Sequence, residues 1–399
     1  MLKALLLENL HPLATQLFTE AGIEVTQHVG AMDEAELVEA LEGVQLLGIR
    51  SKTEVTATVL ETAPGLMAIG AFCIGTNQID LRAAAGRGVT VFNAPFSNTR
   101  SVVELALAEI IVMARRLTEK DRALHDGVWE KSATGSHEIR GRTLGIVGYG
   151  NIGSQLSVVA EMLGMQVYYY DTDDKLAMGN ARRCSSLEEL LDTAEVITLH
   201  VDGRPGNAGF FGPEQFARMQ PRSLFLNLSR GFLVDYDALR EQLLRGHIAG
   251  AAVDVFPNEP KKRGDAFDSQ LRGLPNVVLT PHIGGSTEEA QEDIGRFVAT
   301  KLRDFVQRGS TTLSVNVPGL TLEQHPGRHR IAHVHHNVPG VLATVNRILA
   351  EHGVNIEGQL LNTWGETGYV VTDVSSDLGE DLLAELRAMP ETVRVRVIS

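Results

Sequence analysis

Cysteine is nearly absent from this sequence of 399 residues: Cys73 and Cys184 are the only two, and they lie far apart without forming a CxxC pair. This scarcity argues against a disulfide framework or a cysteine-based zinc site and fits a reducing compartment. Long apolar runs are also missing, because the longest one, 102–114, is interrupted by two glutamates. We therefore expect no membrane-spanning helix. The opening residues 1–9 have too short an apolar run for a signal peptide and predict a first strand, so the sequence predicts a cytoplasmic protein.

Basic residues are in short supply as well, with 36 Lys and Arg against 50 Asp and Glu and a formal net charge of -14. Nucleic acid is an unfavourable partner for such a chain, because phosphate binding depends on clustered Lys and Arg. An anionic metabolite is not excluded, since it needs only a local basic pocket. The length exceeds what a single core usually serves and predicts two or three domains.

Two stretches of the chain alternate short apolar runs with amphipathic segments. In the first, 3–97, the runs 44–49 and 89–92 are typical of buried strands. The second begins at 143–147 and continues to about residue 280 with strands that are apolar almost throughout. This alternation predicts α/β architecture, with two Rossmann-like, doubly wound parallel-sheet domains.

Two long helices are predicted around the second of these domains. The first covers 101–116, and its predicted apolar side consists of Leu105, Ala108, Ile111 and Val112. The second covers 287–306 and has no obvious place in the second sheet. We therefore expect it to return to the first domain. The predicted division is a discontinuous substrate-binding domain, 1–97 with 285–318, and a nucleotide-binding domain, 98–284.

The end of the chain predicts a third, smaller domain. Residues 318–327 contain two prolines and two glycines and are typical of a linker. The segments that follow alternate as strand, helix, strand, strand, helix, strand. This order predicts a ferredoxin-like βαββαβ unit over 327–399, which is too small to carry the chemistry and suits regulation or assembly.

A glycine-rich turn marks the predicted cofactor site. Gly148, Gly150 and Gly153 follow an apolar strand and begin a helix, where glycines permit a tight turn, close approach of a pyrophosphate and helix-to-strand packing. A plain strand-to-helix turn is the alternative. Asp171, at the end of the next strand, favours the dinucleotide interpretation, because its carboxylate can accept hydrogen bonds from a ribose. An acid there also repels a 2′-phosphate, which predicts NAD rather than NADP.

Two candidate catalytic residues follow later strand ends. Arg230 comes after the apolar run 223–228, and a guanidinium matches a carboxylate bidentately. A surface or helix-capping arginine is the alternative. His282 follows 277–280 and supplies an imidazole, whose pKa suits general acid/base catalysis.

For each of two acidic residues, the sequence allows two roles. Glu259 can hydrogen-bond the far ring nitrogen of His282 and fix its tautomer, although the sequence alone favours an exposed loop carboxylate. Asp254, at the end of its strand, either reaches the nicotinamide amide or caps a turn.

Six segments carry a resemblance that covers essentially the whole chain. They are 72–77, 92–101, 148–153, 227–231, 250–256 and 279–287. They resemble the D-isomer-specific 2-hydroxyacid dehydrogenases, in the branch that acts on 3-phospho-D-glycerate, and the C-terminal segment resembles an ACT domain. The resemblance implies NAD-dependent oxidation of that substrate to 3-phosphohydroxypyruvate, the first step of L-serine biosynthesis. It also implies domain closure about hinges near residues 97 and 285 and assembly as a homotetramer.

The resemblance further implies roles for individual residues. Arg230 would bind the substrate carboxylate, His282 would be the acid/base and Glu259 its partner. Three residues would face the substrate near its phosphate: Arg50, Ser51 and Asn98. The NAD site would be lined by Gly148, Gly150, Asn151, Ile152, Gly153, Asp171, Leu228, Ser229, Asp254, Gly284 and Gly285. L-Serine, as a feedback inhibitor, would bind at a subunit interface through His335, Asn337 and Asn355.

Two departures and one cluster qualify this interpretation. Pro326 in the linker restricts φ, so the strength of serine inhibition is left open. The loop 202–209 also departs from the family pattern and is expected to alter the rim of the cofactor pocket. A cluster of five histidines, 325–336, lacks a third ligand from another element, so we predict no metal site.

Two other functions stay open from the residues alone. A different D-2-hydroxyacid dehydrogenase shares Arg230, Glu259 and His282 but needs no serine-sensing domain. A non-catalytic NAD-sensing scaffold keeps the glycine loop and can lose the histidine or the glutamate; the presence of both disfavours it.

Overall fold

The computed structural model describes residues 1–260, 264–323, 329–375 and 378–398, apart from the side chain of Pro205. Two compact units form, one of Met1–Ser97 with Gln291–Ser399 and one of Asn98–Ala290. Within the described residues, no helix combines the length and the apolar character needed to cross a membrane. The linker residues His325 and Pro326 lie outside the described part of the chain.

The first unit begins with a five-stranded parallel sheet. Its strands are β1 (Lys3–Leu6), β2 (Glu24–Gln27), β3 (Leu46–Ile49), β4 (Ala68–Ala71) and β5 (Thr90–Phe92), in the order β2-β1-β3-β4-β5. Its helices are α1 (Pro12–Glu20), α2 (Glu34–Ala40), α3 (Ala57–Thr62) and α4 (Leu81–Gly86). Strands β3, β4 and β5 are buried at every position, as expected for parallel strands covered on both faces.

The second unit contains a seven-stranded parallel sheet. It begins with helices α5 (Thr99–Arg115) and α6 (Leu117–His125), and continues with β6 (Thr143–Val147), α7 (Asn151–Met162), β7 (Gln166–Tyr170), β8 (Arg182–Arg183), α8 (Leu187–Thr193), β9 (Val196–Leu199), α9 (Pro213–Arg218), β10 (Ser223–Asn227), α10 (Tyr236–Leu244), β11 (Ile248–Val253) and β12 (Val277–Leu279). The strand order is β12-β11-β10-β9-β6-β7-β8. The order reverses at β6, so the carboxyl ends of β6 and β9 flank the crevice where such sheets bind ligands.

Helix α5 buries a different side from the one expected. The predicted stripe is wrong, because Ala108 and Ile111 are exposed and Leu105 and Val112 are only partly buried. The buried side carries Val102, Val103, Ala106, Glu109, Ile110, Met113 and Ala114. The reason is that α5 is apolar over most of its circumference, so periodicity alone does not identify the buried side.

Helix α11 (Glu288–Arg308) packs under the first sheet from Gln291 onward. Its Ile294, Val298 and Leu302 share a core with Ala4 and Leu6 of β1. Gly70 in β4 leaves room for this helix, since a side-chain carbon there would press on Val298 and Leu302. This packing supports a discontinuous first domain, while the domain bounds given above stay a proposal.

The described residues from 329 onward form a four-stranded antiparallel sheet with two helices. The elements are β13 (His329–His336), α12 (Val341–Glu351), β14 (Ile356–Trp364), β15 (Thr367–Val374), α13 (Glu380–Ala388) and β16 (Thr392–Ile398). The strand order is β14-β15-β13-β16. The predicted βαββαβ unit is therefore confirmed, as is the α/β class with two parallel sheets.

Candidate active site

The three glycines after β6 have the three environments that a dinucleotide loop requires. Gly148 has φ +91°, and a side-chain carbon there would lie 2.7 Å from the carbonyl oxygen of His200. Gly150 has open space above it, with nothing within 4 Å of an added carbon. Gly153 is buried, and a side chain would collide with the carbonyl of Gly148. The loop thus turns tightly, leaves its backbone accessible and brings α7 close to the sheet, which fits a bound dinucleotide.

Asp171 follows β7 and is tied to this loop. Its Oδ2 accepts the amide of Tyr149 at 2.7 Å, and its Oδ1 accepts the amide of Asp173 at 2.9 Å. The predicted cofactor residues Asn151 and Ile152 begin α7, and Asn151 is exposed. The first turn of α7 therefore presents amide donors to a phosphate beside a carboxylate suited to a ribose.

A buried asparagine organises the end of β10. Asn227 is fully buried, and its Nδ2 donates to the carbonyl of Arg230 and to the hydroxyl of Tyr236, both at 3.0 Å. The Tyr236 hydroxyl donates in turn to the carbonyl of Val255 at 2.7 Å. Neither Asn227 nor Tyr236 is predicted as a site residue from the sequence. An available signal for Asn227 is a polar side chain directly after the apolar run 224–226 of β10.

Ser229 and Leu228 are buried next to this asparagine. The Ser229 amide donates to Oδ1 of Asn227 at 3.0 Å, and its hydroxyl donates to the carbonyl of Leu199 at 2.6 Å. Residues 228–229 are thus joined to the end of β9. Their backbone is therefore fixed at the carboxyl edge of the sheet, where a cofactor would lie.

Arg230 is half-buried, and its backbone is fixed through Asn227. Its Nη1 donates to the carbonyl of Ser229 at 2.7 Å. Among the described residues it pairs with no carboxylate within 4.0 Å, which leaves guanidinium donors for an incoming anion. Gly231 allows the chain to pass close to Phe256, because a side-chain carbon at that position would overlap the Phe256 backbone.

Asp254 holds the turn that carries His282. Its Oδ1 accepts the Thr280 hydroxyl at 2.6 Å and the Ile283 amide at 2.8 Å, and its Oδ2 accepts the Gly284 amide at 2.8 Å. The residue is only 1% exposed. Of the two roles left open for Asp254, the structure displays the turn cap, while contact with a nicotinamide stays a prediction.

The imidazole of His282 pairs with Glu259. His282 has φ +55°, and its Nδ1 lies 2.8 Å from Oε2 of Glu259. The second carboxylate oxygen, Oε1, accepts the Phe256 amide at 3.0 Å. Glu259 is thus an exposed loop carboxylate, as the sequence alone favoured, and it is also an oriented partner of His282. With Nδ1 engaged, Nε2 is the nitrogen left to exchange a proton with a ligand.

The pKa values of His282 and Glu259 are shifted in opposite directions. The hydrogen bond that His282 donates to Glu259 raises the pKa of His282 above its ordinary value, against burial and the charge of Arg230, both of which lower it. Burial is the largest effect on Glu259 and opposes its ionisation, but hydrogen bonds from His282 and Phe256 and the charges of His282 and Arg230 still lower its pKa. The pair therefore favours imidazolium and carboxylate, with Arg230 close enough to act on both.

The predicted substrate residues fall into two groups. Arg50 and Ser51 belong to the first unit and follow the end of β3. Asn98 belongs to the second unit and precedes α5. A side-chain carbon at Gly285 would overlap the Asn98 amide group, so these two residues are in close contact. The Oδ1 atom of Asn98 is buried without a hydrogen-bond partner in the described structure.

The predicted effector residues do not all meet within one chain. His335 is buried beside Gly368, and Asn337 donates to the carbonyl of Gly365 at 3.0 Å, so both lie near the β14–β15 turn. Asn355 precedes β14 at its other end. The nine residues of β14 lie between these two ends of the domain and separate the two asparagines by about 26 Å. One small ligand therefore cannot contact both within a single chain.

In the described part of the chain, no three histidine, cysteine, aspartate or glutamate side chains cluster as a metal site would require. His333 instead bonds Thr392 at 2.8 Å, and burial followed by the charge of His335 lowers its pKa to about 4.

Comparisons with known proteins agree with this geometry. Residues 107–284 match the NAD binding domain of the D-isomer specific 2-hydroxyacid dehydrogenases, and residues 331–394 match the AHAS small subunit-like ACT domain. D-3-phosphoglycerate dehydrogenase from Haemophilus influenzae is 48% identical over 398 residues, covering 100% of this chain and 97% of the relative. The enzyme of the same name from Escherichia coli strain K12 is 48% identical over 400 residues, with the same coverage.

The fold has close counterparts among solved structures. A protein from Thermus thermophilus is 33% identical with a TM-score of 0.69, and the match covers 75% of this chain and 96% of that one. D-Lactate dehydrogenase from Aquifex aeolicus, solved with NAD and lactic acid, is 25% identical with a TM-score of 0.67, covering 76% and 95%. The chain therefore belongs to the D-3-phosphoglycerate dehydrogenase family of NAD-dependent, D-isomer-specific 2-hydroxyacid dehydrogenases that carry a C-terminal ACT domain.

Proposed function

We propose that this protein oxidises 3-phospho-D-glycerate to 3-phosphohydroxypyruvate with NAD. The observation that carries the proposal is the 2.8 Å pair of His282 and Glu259 within the electrostatic reach of Arg230. The full-length similarity to D-3-phosphoglycerate dehydrogenases supports the choice of substrate. Oxidation of another D-2-hydroxy acid is the second candidate function, but that function would not explain the presence of a serine-sensing domain.

Each catalytic side chain has one task in the proposed mechanism. The guanidinium of Arg230 binds the substrate carboxylate and orients C2. Nε2 of His282 accepts the proton of the C2 hydroxyl, and Glu259 stabilises the imidazolium that results. NAD, when bound, supplies the nicotinamide that accepts the hydride from C2. Asp254 keeps His282 in place, because it caps the turn from which the imidazole projects.

The residues of the glycine loop suit the cofactor. Gly150 leaves its backbone open, and Asp171 offers carboxylate oxygens beside it. We propose that Asn151, Ile152, Leu228, Ser229, Gly284 and Gly285 complete this site. Arg50 and Ser51, with Asn98, are proposed to bind the substrate on its phosphate side.

Serine regulation belongs to the same proposal. The matched ACT domain supports it. Because Asn337 and Asn355 lie at opposite ends of β14, we propose that L-serine binds between two copies of the chain, with His335 and Asn337 from one and Asn355 from the other. A homotetramer in the cytoplasm is the assembly and location we propose.

The decisive experiment is an assay of the purified protein with NADH and a panel of 2-oxo acids, with and without L-serine. We expect reduction of 3-phosphohydroxypyruvate to be fastest and to be slowed by serine. Preference for an unphosphorylated 2-oxo acid would favour the second candidate. Absence of turnover with NADH bound would favour a sensing scaffold. The His282→Ala variant is expected to bind NADH nearly normally and to lack turnover.

A further inference from the structure

A buried glutamate in the first unit binds the backbone of a loop that carries two predicted substrate residues. Glu8 is 8% exposed and adopts φ +63° just after β1. Its Oε1 accepts the amides of Arg50 at 3.2 Å and Thr53 at 2.9 Å, and its Oε2 accepts the amide of Lys52 at 3.1 Å. A buried carboxylate is costly unless it is well hydrogen-bonded, and these three donors provide that compensation.

The same loop is held from its other side by a glutamine. Gln78 is 7% exposed, and its Nε2 donates to the carbonyl of Arg50 at 2.6 Å. The Sγ of Cys73 lies 3.5 Å from that carbonyl. Both polar groups of the Arg50 backbone are therefore fixed, the amide by Glu8 and the carbonyl by Gln78.

The fixed loop still has a cation to offer. It follows the carboxyl end of β3, the edge at which parallel sheets present ligand-binding residues. Within the described structure, the side chain of Arg50 takes part in no hydrogen bond and no ion pair. Since Glu8 occupies three amides of the loop, an anion bound there depends on side chains such as those of Arg50 and Ser51.

We propose that Glu8 and Gln78 are positioning residues that give the enzyme its preference for a phosphorylated substrate, by fixing the 50–53 loop that presents Arg50 and Ser51. This inference rests on the proposed function. A guanidinium on a mobile backbone loses conformational entropy when it binds, whereas one on a fixed loop loses less. Only substrates with a phosphate gain from that preorganisation. Glu8 and Gln78, which together form a clamp on the loop, therefore affect the discrimination between phosphorylated and unphosphorylated substrates and not hydride transfer.

Glu8→Gln is the most direct test. A glutamine accepts through one oxygen only, so its NH2 group faces at least one loop amide and that hydrogen bond is lost. The probes are 3-phosphohydroxypyruvate and hydroxypyruvate, which differ only in the phosphate. We expect the ratio of their kcat/KM values to fall about tenfold through a higher KM for the phosphorylated substrate. KM for NADH and kcat/KM for hydroxypyruvate should stay within about twofold of the unmodified enzyme.

Two further variants complete the design. Gln78→Met removes the donor to the Arg50 carbonyl and should shift the ratio in the same direction, which keeps the test valid if Glu8→Gln folds poorly. Glu20→Gln is the matched control: this exposed carboxylate of α1 bonds Gln16, far from the loop in sequence, and should leave the ratio unchanged.

The outcomes separate this inference from the proposed function. An unmodified enzyme that does not reduce 3-phosphohydroxypyruvate overturns the proposed function. An active enzyme whose substrate ratio is unchanged in both Glu8→Gln and Gln78→Met overturns the inference alone. An equal loss for both substrates with a lower Tm also overturns it, because the clamp would then serve only the fold.

Discussion

Glu259 uses both of its carboxylate oxygens within the site: Oε2 lies 2.8 Å from Nδ1 of His282, and Oε1 accepts the amide of Phe256 at 3.0 Å. The carboxylate is therefore anchored to its own loop before it meets the ring. An anchored partner fixes both the tautomer and the orientation of the imidazole. This arrangement makes the pH dependence of catalysis a direct test of the pair.

Glu259→Gln removes the negative charge of the partner that raises the pKa of His282 and leaves at most a neutral amide oxygen as acceptor for Nδ1. Oxidation needs the neutral imidazole as base, so its rate rises as pH increases through the pKa of His282. In the variant this rise is expected at lower pH, and kcat on the plateau should fall roughly 100-fold because the base is weaker and less well oriented. Reduction needs the imidazolium and should fade at correspondingly lower pH. Profiles of kcat against pH in both directions measure this.

Glu214→Gln serves as the control for that experiment, since this carboxylate is exposed in the first turn of α9. Its profile should match that of the unmodified enzyme. If Glu259→Gln leaves the midpoint of the oxidation profile in place, Glu259 does not govern the ionisation of His282.

Arg230→Lys tests carboxylate binding by the guanidinium. Lysine carries the same charge but cannot form two parallel hydrogen bonds to a carboxylate. Losing one charge-assisted hydrogen bond costs about 2 kcal/mol, so kcat/KM for the substrate should fall roughly 30-fold, while the Kd of NADH changes little. Arg245→Lys, on an exposed arginine paired with Glu241, is the control. An equal loss of NADH affinity in Arg230→Lys would mean that Arg230 belongs to the cofactor site.

The architecture could be predicted because buried parallel strands have a recognisable sequence pattern of short apolar runs. The runs that form β6, β10 and β11 are mostly apolar. Gly148 directly follows β6, Asp254 directly follows β11, and Arg230 lies three residues after β10. Since parallel strands align their carboxyl ends, polar residues distant in sequence were expected at one edge. In the structure Asp254 caps the turn that carries His282, and Glu259 pairs with His282, while the catalytic and cofactor roles of these residues stay predictions.

Other features left no usable signal. The buried side of α5 could not be chosen from periodicity, since most of its surface is apolar. Nothing local marks Glu8 as buried, because its three donors come from residues more than forty positions away. Such long-range satisfaction of a charge depends on the sheet order and not on neighbours in the sequence.

Glu109 on α5 predicts a specific change of stability with pH. It is 3% exposed, and neither carboxyl oxygen has a hydrogen-bond partner in the described structure. Burial, and secondarily the charge of Asp254, raises its pKa from 4.5 to about 8. The folded state therefore holds a proton that the unfolded state releases above pH 4.5. Stability is lost as pH rises from there to about 8, by at most about 1.4 kcal/mol per pH unit, and then levels off.

Glu109→Gln should remove that loss, because an amide stays neutral. The Tm of the variant relative to the unmodified protein is expected to increase steadily between pH 5 and 8 and to stay constant above, as thermal unfolding at several pH values will show. Glu104→Gln, on the exposed partner of Arg100 in the same helix, should show no such trend. Parallel Tm curves for Glu109→Gln and the unmodified protein would mean that Glu109 is ionised in the fold.

The separation of Asn337 from Asn355 along β14 leads to a test with mixed subunits. Asn337→Ala and Asn355→Ala should each abolish serine inhibition, because each removes one side of every interface site. Mixed assemblies of the two variants combine an intact Asn337 from one chain with an intact Asn355 from the other, so partial inhibition should return. Inhibition curves of the two variants, refolded or co-expressed together, measure this. If the mixture is as insensitive as its parents, serine does not bind between copies, since a site within one chain stays defective in both variants.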